Sequence, residues 1–169
     1  MNPKKDNELV ELAAKICVES HAEQTDKVGQ PYILHPMRVA LKCDTSEQKI
    51  VAFLHDVIED CGVTAEDVLA EGFSQEIVDA ILSVTKREGE SYEDFVRRAK
   101  QNPIGRVVKL HDLEDNLNAL RLDHFDADMA ARYNKYLAAR RFLLEDQLLC
   151  TPWKTLSTCA LSLILQSLN

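Results

Sequence analysis

Glycine and proline are scarce in this chain, which disfavours folds built on many tight turns. The 169 residues include only five of each, too few for the turns of a typical β-sandwich or barrel. No segment of convincing length alternates apolar and polar residues as a half-buried strand does. Apolar residues make up 46% of the chain and charged residues 28%, a composition too apolar for a disordered protein. We therefore expect one mostly helical globular domain.

Basic residues are in the minority. Twenty Lys and Arg stand against 28 Asp and Glu, which gives a formal net charge of −8 at pH 7. A general nucleic-acid binder needs a basic surface that displaces counterions from phosphate, so the charge argues against that class. An acidic protein that binds a small polyanion needs a metal ion or a local group of Lys and Arg side chains.

Paired cysteines and long hydrophobic runs are also missing. The cysteines are Cys17, Cys43, Cys61, Cys150 and Cys159. An odd number without a C-x-x-C pair indicates reduced thiols rather than a disulfide framework or a zinc ribbon. The N-terminal segment has no apolar signal-like region, and the most apolar stretch, 156–165, is far shorter than the roughly 20 residues that cross a bilayer. We expect a cytoplasmic protein that does not insert into membranes.

Apolar residues recur at helical spacing along most of the chain, and this periodicity predicts seven or eight helices. The expected ranges are 6–21, 33–43, 47–59, 64–72, 74–84, a helix opening at Ser91, 104–120 and 126–149. The helix over 47–59 contains the apolar run from Ile50 to Leu54, which is typical of a central, buried helix.

The C-terminal segment differs from the rest of the chain. Residues 151–169 contain one basic residue, no acidic residue and many Leu, Ser and Thr. We expect the domain to cover residues 1–150 and the apolar tail to form a last helix that docks on it. The alternative is self-association, since an exposed apolar patch tends to find a partner, and the tail would then support a homo-oligomer.

Polar side chains that can bind a metal follow the apolar run of the third predicted helix. They are His55, Asp56, Glu59 and Asp60. Spacings of three and four residues place them on one helical face, and carboxylates at a helix C-terminus lie at the unfavourable end of its dipole. A divalent cation would compensate them. Together with His35 and Asp112 they supply two imidazoles and several carboxylates, a set that suits Mn²⁺, Fe²⁺ or Zn²⁺.

Three sequence blocks contain these residues: GQPYILHPMRVA, VAFLHDVIED and VVKLHDLEDNL. They resemble the G-x-P-Y-x-x-H-P, L-L-H-D-x-x-E-D and V-K-L-A-D-x-x-x-N blocks of the (p)ppGpp hydrolase domain, one of the HD-domain metal-dependent phosphohydrolases. That domain occurs in RelA/SpoT-type alarmone enzymes and in small stand-alone hydrolases. The resemblance covers about residues 9–145 and implies an all-α, single-domain helical bundle.

The resemblance also implies roles for individual residues. One metal ion, expected to be Mn²⁺ with Fe²⁺ or Zn²⁺ as alternatives, would be bound by His35, His55, Asp56 and Asp112. Glu59 and Asp60 would position and activate the attacking water, and Asn116 would contact the ribose or phosphate of the substrate. Further candidates for binding phosphate are Lys27, Arg38 and Lys109, although Lys and Arg on helical faces are mostly solvated.

These observations predict a metal-dependent phosphohydrolase that acts on a small nucleotide, with the 3′-diphosphate of (p)ppGpp as the expected target. One alternative is an HD hydrolase of another nucleotide or phosphoester. A second is a regulatory module that binds a metal and a nucleotide without turnover, and a third is a structural helical domain. The presence of both Glu59 and Asp60 disfavours the regulatory module, because binding alone would not need them.

Overall fold

The computed structural model describes residues 3–122 and 124–148, which form helices joined by short loops. In chain order the α-helices are α1 (Pro3–Ser20), α2 (Leu34–Leu41), α3 (Ser46–Leu54), α4 (Val57–Asp60), α5 (Ala65–Ala70), α6 (Gln75–Val84), α7 (Tyr92–Gln101), α8 (Pro103–Asn116) and α9 (Ala127–Leu148). A 3-10 turn covers Ala119–Arg121. Within these ranges the only β pairing is an isolated bridge between Thr25 and Pro31. The predicted all-α class is confirmed.

Capping side chains explain where several helices begin. Thr45 and Thr64 each accept a hydrogen bond from the third residue of the helix, whose side chain in turn accepts one from the cap backbone. These two capping boxes satisfy amides that have no partner inside the helix. Simpler side-chain caps are provided by Ser74, Ser91 and Asn102. Each cap of this kind stabilises the fold by about 1 kcal/mol.

The main hydrophobic core surrounds α3, which packs against α1, α2, α6 and α8. Val51, Ala52 and Leu54 on this helix are completely inaccessible to solvent. Burial of each large aliphatic side chain stabilises the folded state by about 1.5–3 kcal/mol. The prediction that the helix with the most apolar middle is central is therefore confirmed.

A second, smaller core attaches α9 to α7 and α8. Its buried members are Val96, Leu110, Leu113, Ala139 and Leu143. The earlier turns of α9, between Met129 and Tyr136, line one side of a cleft described below.

The single helix predicted over 47–59 is wrong. α3 ends at Leu54 and α4 begins at Val57, so His55 and Asp56 lie between two helices. Asp56 has φ −102° and ψ −8°, away from the values of a regular helix. The break turns both side chains toward residues of α2 and α8, and those tertiary contacts outweigh the helical preference of the segment.

One further boundary differs from the sequence prediction. α8 ends at Asn116 rather than near residue 120, and Asn118 caps the 3-10 turn that follows. The predicted docking helix in 151–169, and the self-association it would support, fall outside the described residues. None of the described helices is both long and apolar enough to cross a membrane.

Candidate active site

Four side chains from three parts of the chain converge on one point. His35 lies in the first turn of α2, His55 and Asp56 lie between α3 and α4, and Asp112 lies in α8. His35 Nε2 lies 3.8 Å from Asp56 Oδ2 and 3.3 Å from Asp112 Oδ1. His55 Nε2 lies 3.1 Å from Asp56 Oδ2 and 4.0 Å from Asp112 Oδ1. Donors about 2.1 Å from a shared ion would be about 3.0 Å apart at right angles and about 4.2 Å apart when opposite. The ligand atoms of His35, His55 and Asp56 lie close enough together to hold one ion, and Asp112 Oδ1 lies next to this group.

The hydrogen bonds of both imidazoles leave Nε2 directed at this point. The ring of His55 donates from Nδ1 to the carbonyl of Ala52 at 2.7 Å, and His35 donates from Nδ1 to Asp115 Oδ2 at 2.7 Å. This arrangement is the one usually found for histidines that bind metals. His55 Nε2 is buried and makes no hydrogen bond of good geometry within the described part of the chain, although Asp56 Oδ2 lies 3.1 Å away. A cation would satisfy that atom, so the donor set can hold a divalent metal.

Asp112 is held in place by two residues that the sequence predicted to bind substrate. Lys109 Nζ donates to Asp112 Oδ2 at 2.6 Å, and Asn116 Nδ2 donates to Oδ1 at 2.5 Å. Burial opposes ionisation of Asp112, but the Lys109 ammonium and the two histidines hold the pKa of this carboxyl well below its usual range. Asp112 is therefore held in the charged form that binding of a cation would need.

Burial and neighbouring charges also shift the pKa values of Asp56 and of the imidazoles. Tyr32 donates its hydroxyl to Asp56 Oδ2 at 2.6 Å. Burial again opposes the charged form, yet His55 keeps the pKa of Asp56 below its ordinary value. For His35, hydrogen bonds to Asp112 and Asp115 overcome the effect of burial and raise the imidazole pKa to about 9. A metal ion that binds here must displace a proton at neutral pH.

The two predicted acid/base residues lie on different sides of α4. Glu59 lines the cleft beside Asp56, and its Oε2 accepts a hydrogen bond from the backbone amide of Lys86 at 2.7 Å. Asp60 is not among the residues that line the cleft. Partial burial and the charge of Asp56 raise the pKa of Asp60. Glu59 therefore lines the cleft that contains the candidate metal ligands, whereas Asp60 interacts electrostatically with Asp56 and His55 without lining that cleft.

The cleft has a volume of about 520 Å³ and extends from the metal-binding residues to the first turns of α9. Lys27 from the loop after α1 meets Arg132 and Lys135 from α9 along its wall. Burial and the positive charges of Arg132 and Lys135 lower the pKa of Lys27. We call Lys27, Arg132 and Lys135 the cationic wall. An anion bound there relieves the repulsion between these three charges.

Aromatic side chains border the cationic wall. The rings of Tyr92 and Tyr136 have centroids 6.2 Å apart, and the ammonium of Lys135 lies 4.6 Å from the Tyr92 ring. The ammonium of Lys109 lies 4.7 Å from the ring of Phe95. Such contacts stabilise the positions of the lysine head groups.

Sequence reasoning named Lys27 but missed the other two members of the cationic wall. Arg132 and Lys135 are three residues apart, a spacing that places two cations on one face of a helix. That signal was present, but it is common on solvated helices and does not show that the face borders a cleft. Only the contact of α9 with α7 and α8 brings it to the metal-binding residues.

Arg38 is the predicted substrate-binding residue that the structure does not bring to the cleft. Its guanidinium donates to both oxygens of Asp115, at 2.6 and 2.9 Å. Asp115 is 4% exposed, and its carboxylate accepts the hydrogen bond from His35 Nδ1. Sequence reasoning gave Asp115 no role. The sequence signal was a spacing of three residues, which makes two side chains neighbours on a helix. Asp115 follows Asp112 at this spacing, and Arg38 follows His35 at the same spacing.

Comparison with known proteins identifies relatives of this chain by sequence. No family model matches the chain. A guanosine-3′,5′-bis(diphosphate) 3′-pyrophosphohydrolase of Aquifex aeolicus is 33% identical over 125 residues, 67% of this chain and 18% of the relative. A probable GTP pyrophosphokinase of Mycobacterium leprae is 32% identical over 133 residues, 70% of this chain and 17% of the relative. The chain thus spans less than a fifth of the length of these relatives.

A solved structure shares the fold. It is described as a metazoan ortholog of SpoT that hydrolyzes ppGpp, and it superposes with a TM-score of 0.64 over 80% of this chain and 85% of that chain. Identity in this comparison is 20%, so it supports the helical arrangement alone. From the sequence relationship, the shared fold and the converging histidines and aspartates, we conclude that the chain belongs to the family of helical hydrolase domains found in RelA/SpoT-type enzymes.

Proposed function

We propose that the chain is a metal-dependent hydrolase that removes the 3′-diphosphate of (p)ppGpp. The observation that carries the proposal is that one cleft is lined both by His35, Asp56 and Asp112 from the candidate metal site and by the cationic wall. Relatives that are named guanosine-3′,5′-bis(diphosphate) 3′-pyrophosphohydrolase support this substrate. A diphosphate ester needs both features, because its charge must be neutralised while water attacks phosphorus.

The metal would be held by His35, His55, Asp56 and Asp112. We propose Mn²⁺, which the resemblance to the (p)ppGpp hydrolase domain implies, with Fe²⁺ or Zn²⁺ as alternatives, because two imidazoles and two carboxylates suit all three ions. Such an ion lowers the pKa of water and neutralises charge on phosphorus-bound oxygens. Lys109 and Asn116 orient Asp112 through the hydrogen bonds described above. Tyr32 does the same for Asp56. A cytoplasmic location belongs to the same proposal, since it rests on the cysteine pattern of the sequence.

Glu59 is our candidate for the residue that takes the proton from the attacking water. Its carboxylate is on the cleft surface, and the amide of Lys86 holds one oxygen at 2.7 Å. The second oxygen can accept a proton from water in the cleft. The cationic wall would bind the diphosphate group and keep it in line with that water, which converts an encounter into an oriented reaction.

Two alternatives remain distinct from this proposal. The cleft could accept another nucleotide or phosphoester, because the cationic wall recognises phosphate rather than a base. The chain could also bind a metal and a nucleotide without turnover. The cleft-lining position of Glu59 favours an enzyme, since a carboxylate beside a polyanion weakens simple binding.

The test is a panel of nucleotides and phosphoesters incubated with Mn²⁺-loaded protein, with released phosphate and pyrophosphate measured separately. We expect pyrophosphate from ppGpp and no turnover after addition of a chelator. Release from a different nucleotide would replace the substrate while keeping the reaction class. Binding of ppGpp without any product would contradict the enzyme and support the regulatory module.

A further inference from the structure

A chain of ion pairs connects the loop that carries Lys27 to the candidate metal ligand His35. Its central member is Arg121, in the 3-10 turn after α8. One guanidinium nitrogen donates to Asp115 Oδ2 at 3.2 Å, and the other pairs with Asp26 Oδ2. The side chains of Asp26 and Asp115 are 12% and 3% exposed, so water screens these pairs less than it would on the surface.

At one end of this chain, Asp26 shapes the loop over residues 25–31. Its Oδ1 accepts hydrogen bonds from the amides of Val28 and Gln30 at 3.0 and 2.9 Å, and its own amide donates to the carbonyl of Gln30 at 2.8 Å. Gly29 has φ +76°, a left-handed conformation that glycine adopts without strain. The loop is therefore folded around the Asp26 carboxylate, and it presents Lys27 to the cleft.

At the other end, Asp115 orients His35. It accepts the Nδ1 proton of that imidazole at 2.7 Å and is held from a second side by Arg38. A carboxylate in this position fixes both the tautomer and the direction of a metal-binding histidine. Arg38 and Arg121 share this carboxylate, but Arg121 alone of the two is also paired with Asp26 in the described structure.

We propose that Arg121 is a positioning residue that sets the distance between the cationic wall and the metal-binding residues. The inference rests on the proposed function, because that distance matters for a substrate held at both ends. A planar guanidinium can pair with two carboxylates on different edges, whereas a lysine ammonium is a single point charge on a flexible stem. Lysine at this position would keep the charge and lose the geometry.

Two binding measurements separate the ends of the ion-pair chain without any need for turnover. Mn²⁺ affinity reports on His35. Affinity for inorganic pyrophosphate, measured by calorimetry in the presence of a chelator, reports on the cationic wall alone. Arg38→Ala is the control for loss of a guanidinium from Asp115. Arg121 itself lines the cleft, whereas Arg38 does not, so Asp26→Asn, which breaks the pair with Arg121 without removing a cation, separates positioning from direct contact with the anion.

We expect Arg121→Ala to weaken Mn²⁺ binding about tenfold, as loss of outer-shell partners commonly does, and pyrophosphate binding about fivefold. Arg38→Ala should weaken Mn²⁺ binding alone, and Asp26→Asn should weaken pyrophosphate binding alone. Arg121→Lys should restore neither affinity fully. If Arg121→Ala does not fold, Arg121→Lys and Asp26→Asn test the positioning role in its place.

Three results would overturn the proposal: unchanged affinities in Arg121→Ala, the same pattern in Arg121→Ala and Arg38→Ala, or full recovery of both affinities in Arg121→Lys. A wild-type protein that binds no pyrophosphate would overturn it as well. If the wild-type protein binds both probes but hydrolyses no nucleotide, the proposed function fails while the positioning role is still decided by the variants.

Discussion

The amide of Lys86 donates a hydrogen bond to the carboxylate of Glu59 at 2.7 Å. The contact joins α4 to the loop that follows α6, although the two residues are 27 positions apart in the chain. It leaves the second oxygen of Glu59 for the cleft. This geometry separates Glu59 from its neighbour Asp60, which does not line the cleft.

Glu59→Gln should reduce turnover at least about tenfold, because a positioned general acid or base typically contributes about 10²–10⁴-fold. Glutamine keeps an oxygen for the Lys86 amide but cannot take a proton. Metal content should stay at the wild-type level, and both quantities should be measured on one sample. Asp60→Asn is the matched control and should retain most activity. Full turnover in Glu59→Gln, with loss in Asp60→Asn, would move the role to Asp60.

Asp112→Ala should abolish most metal binding, because it removes a charged ligand from a site with four candidate donors. The substitution also leaves the buried ammonium of Lys109 without its carboxylate, which costs about 3–5 kcal/mol of stability. Asp112→Asn avoids most of that cost while weakening the ligand. Elemental analysis after dialysis gives the metal content, and thermal unfolding gives the stability. Glu114→Gln, a change at a neighbouring carboxylate, serves as the control. Undiminished metal in both Asp112 variants would remove Asp112 from the ligand set.

Loss of charge from the cationic wall should act on substrate binding. Arg132→Ala and Lys135→Ala are each expected to raise KM about tenfold, since a hydrogen bond between charged groups contributes about 1.5–3 kcal/mol. Because counterions screen these charges, KM of the wild-type enzyme should rise steeply with salt, and less steeply in the variants. Arg141→Ala, at an exposed position of α9 outside the cleft lining, is the control. A wild-type KM in Arg132→Ala and in Lys135→Ala, as in the control, would show that α9 does not bind phosphate.

Gly105 in α8 allows close packing against α6. A methyl group at this position would overlap Ser83 Oγ and approach Val84 Cγ1 at 3.3 Å. Overpacking of this kind costs about 1–3 kcal/mol, more than the gain of up to about 1 kcal/mol in helix propensity from alanine. Gly105→Ala should therefore lower the free energy of unfolding in chemical denaturation.

The double variant Gly105→Ala with Ser83→Ala should recover most of that loss, since the overlapping hydroxyl is then absent. Ser83→Ala alone controls for the hydrogen bond from Ser83 Oγ to the carbonyl of Ala80. Additive effects of the two substitutions would contradict the overlap, because residues in contact should couple.

Glu90 and Arg98 form a pair whose effect depends on pH. Hydrogen bonds from Arg98 lower the pKa of Glu90 to about 2. A carboxyl whose pKa is lower in the folded state stabilises that state above its unfolded pKa, here about 4.3. The contribution is then lost as the pH falls toward about 2. Glu90→Gln should be less stable than wild type at pH 7 and should match it more closely near pH 2. Glu88→Gln, at an exposed position of the same loop, should follow the wild-type curve.

The helical class, the central position of α3 and the converging side chains could be predicted because each leaves a local or motif-level signal. Capping residues such as Thr45 and Thr64 fix helix starts through contacts within four positions. The break at His55 could not be predicted in this way. Local preference continues the helix there, whereas His35 contacts Asp56 and Asp112 contacts His55 from positions far away in the sequence.

Sequence patterns also could not predict which side chains surround the candidate metal ligands. Asp115 and His35 are 80 positions apart, and Arg121 meets Asp26 across 95 positions. Each of these side chains has an ordinary solvated alternative on a helix or in a loop. Only the packing of α2 against α8 determines that Asp115 faces inward.

The attachment of α9 through its own small core has a consequence for how this scaffold can diverge. The metal-binding side chains come from α2, the break before α4, and α8, whereas Arg132 and Lys135 belong to a helix held chiefly by Ala139 and Leu143. Exchange of the outer turns of α9 would change the cations that line the cleft and leave the candidate metal ligands in place. An ancestral domain could therefore acquire new substrates one helix at a time, and a designer could follow the same route by grafting a different ninth helix.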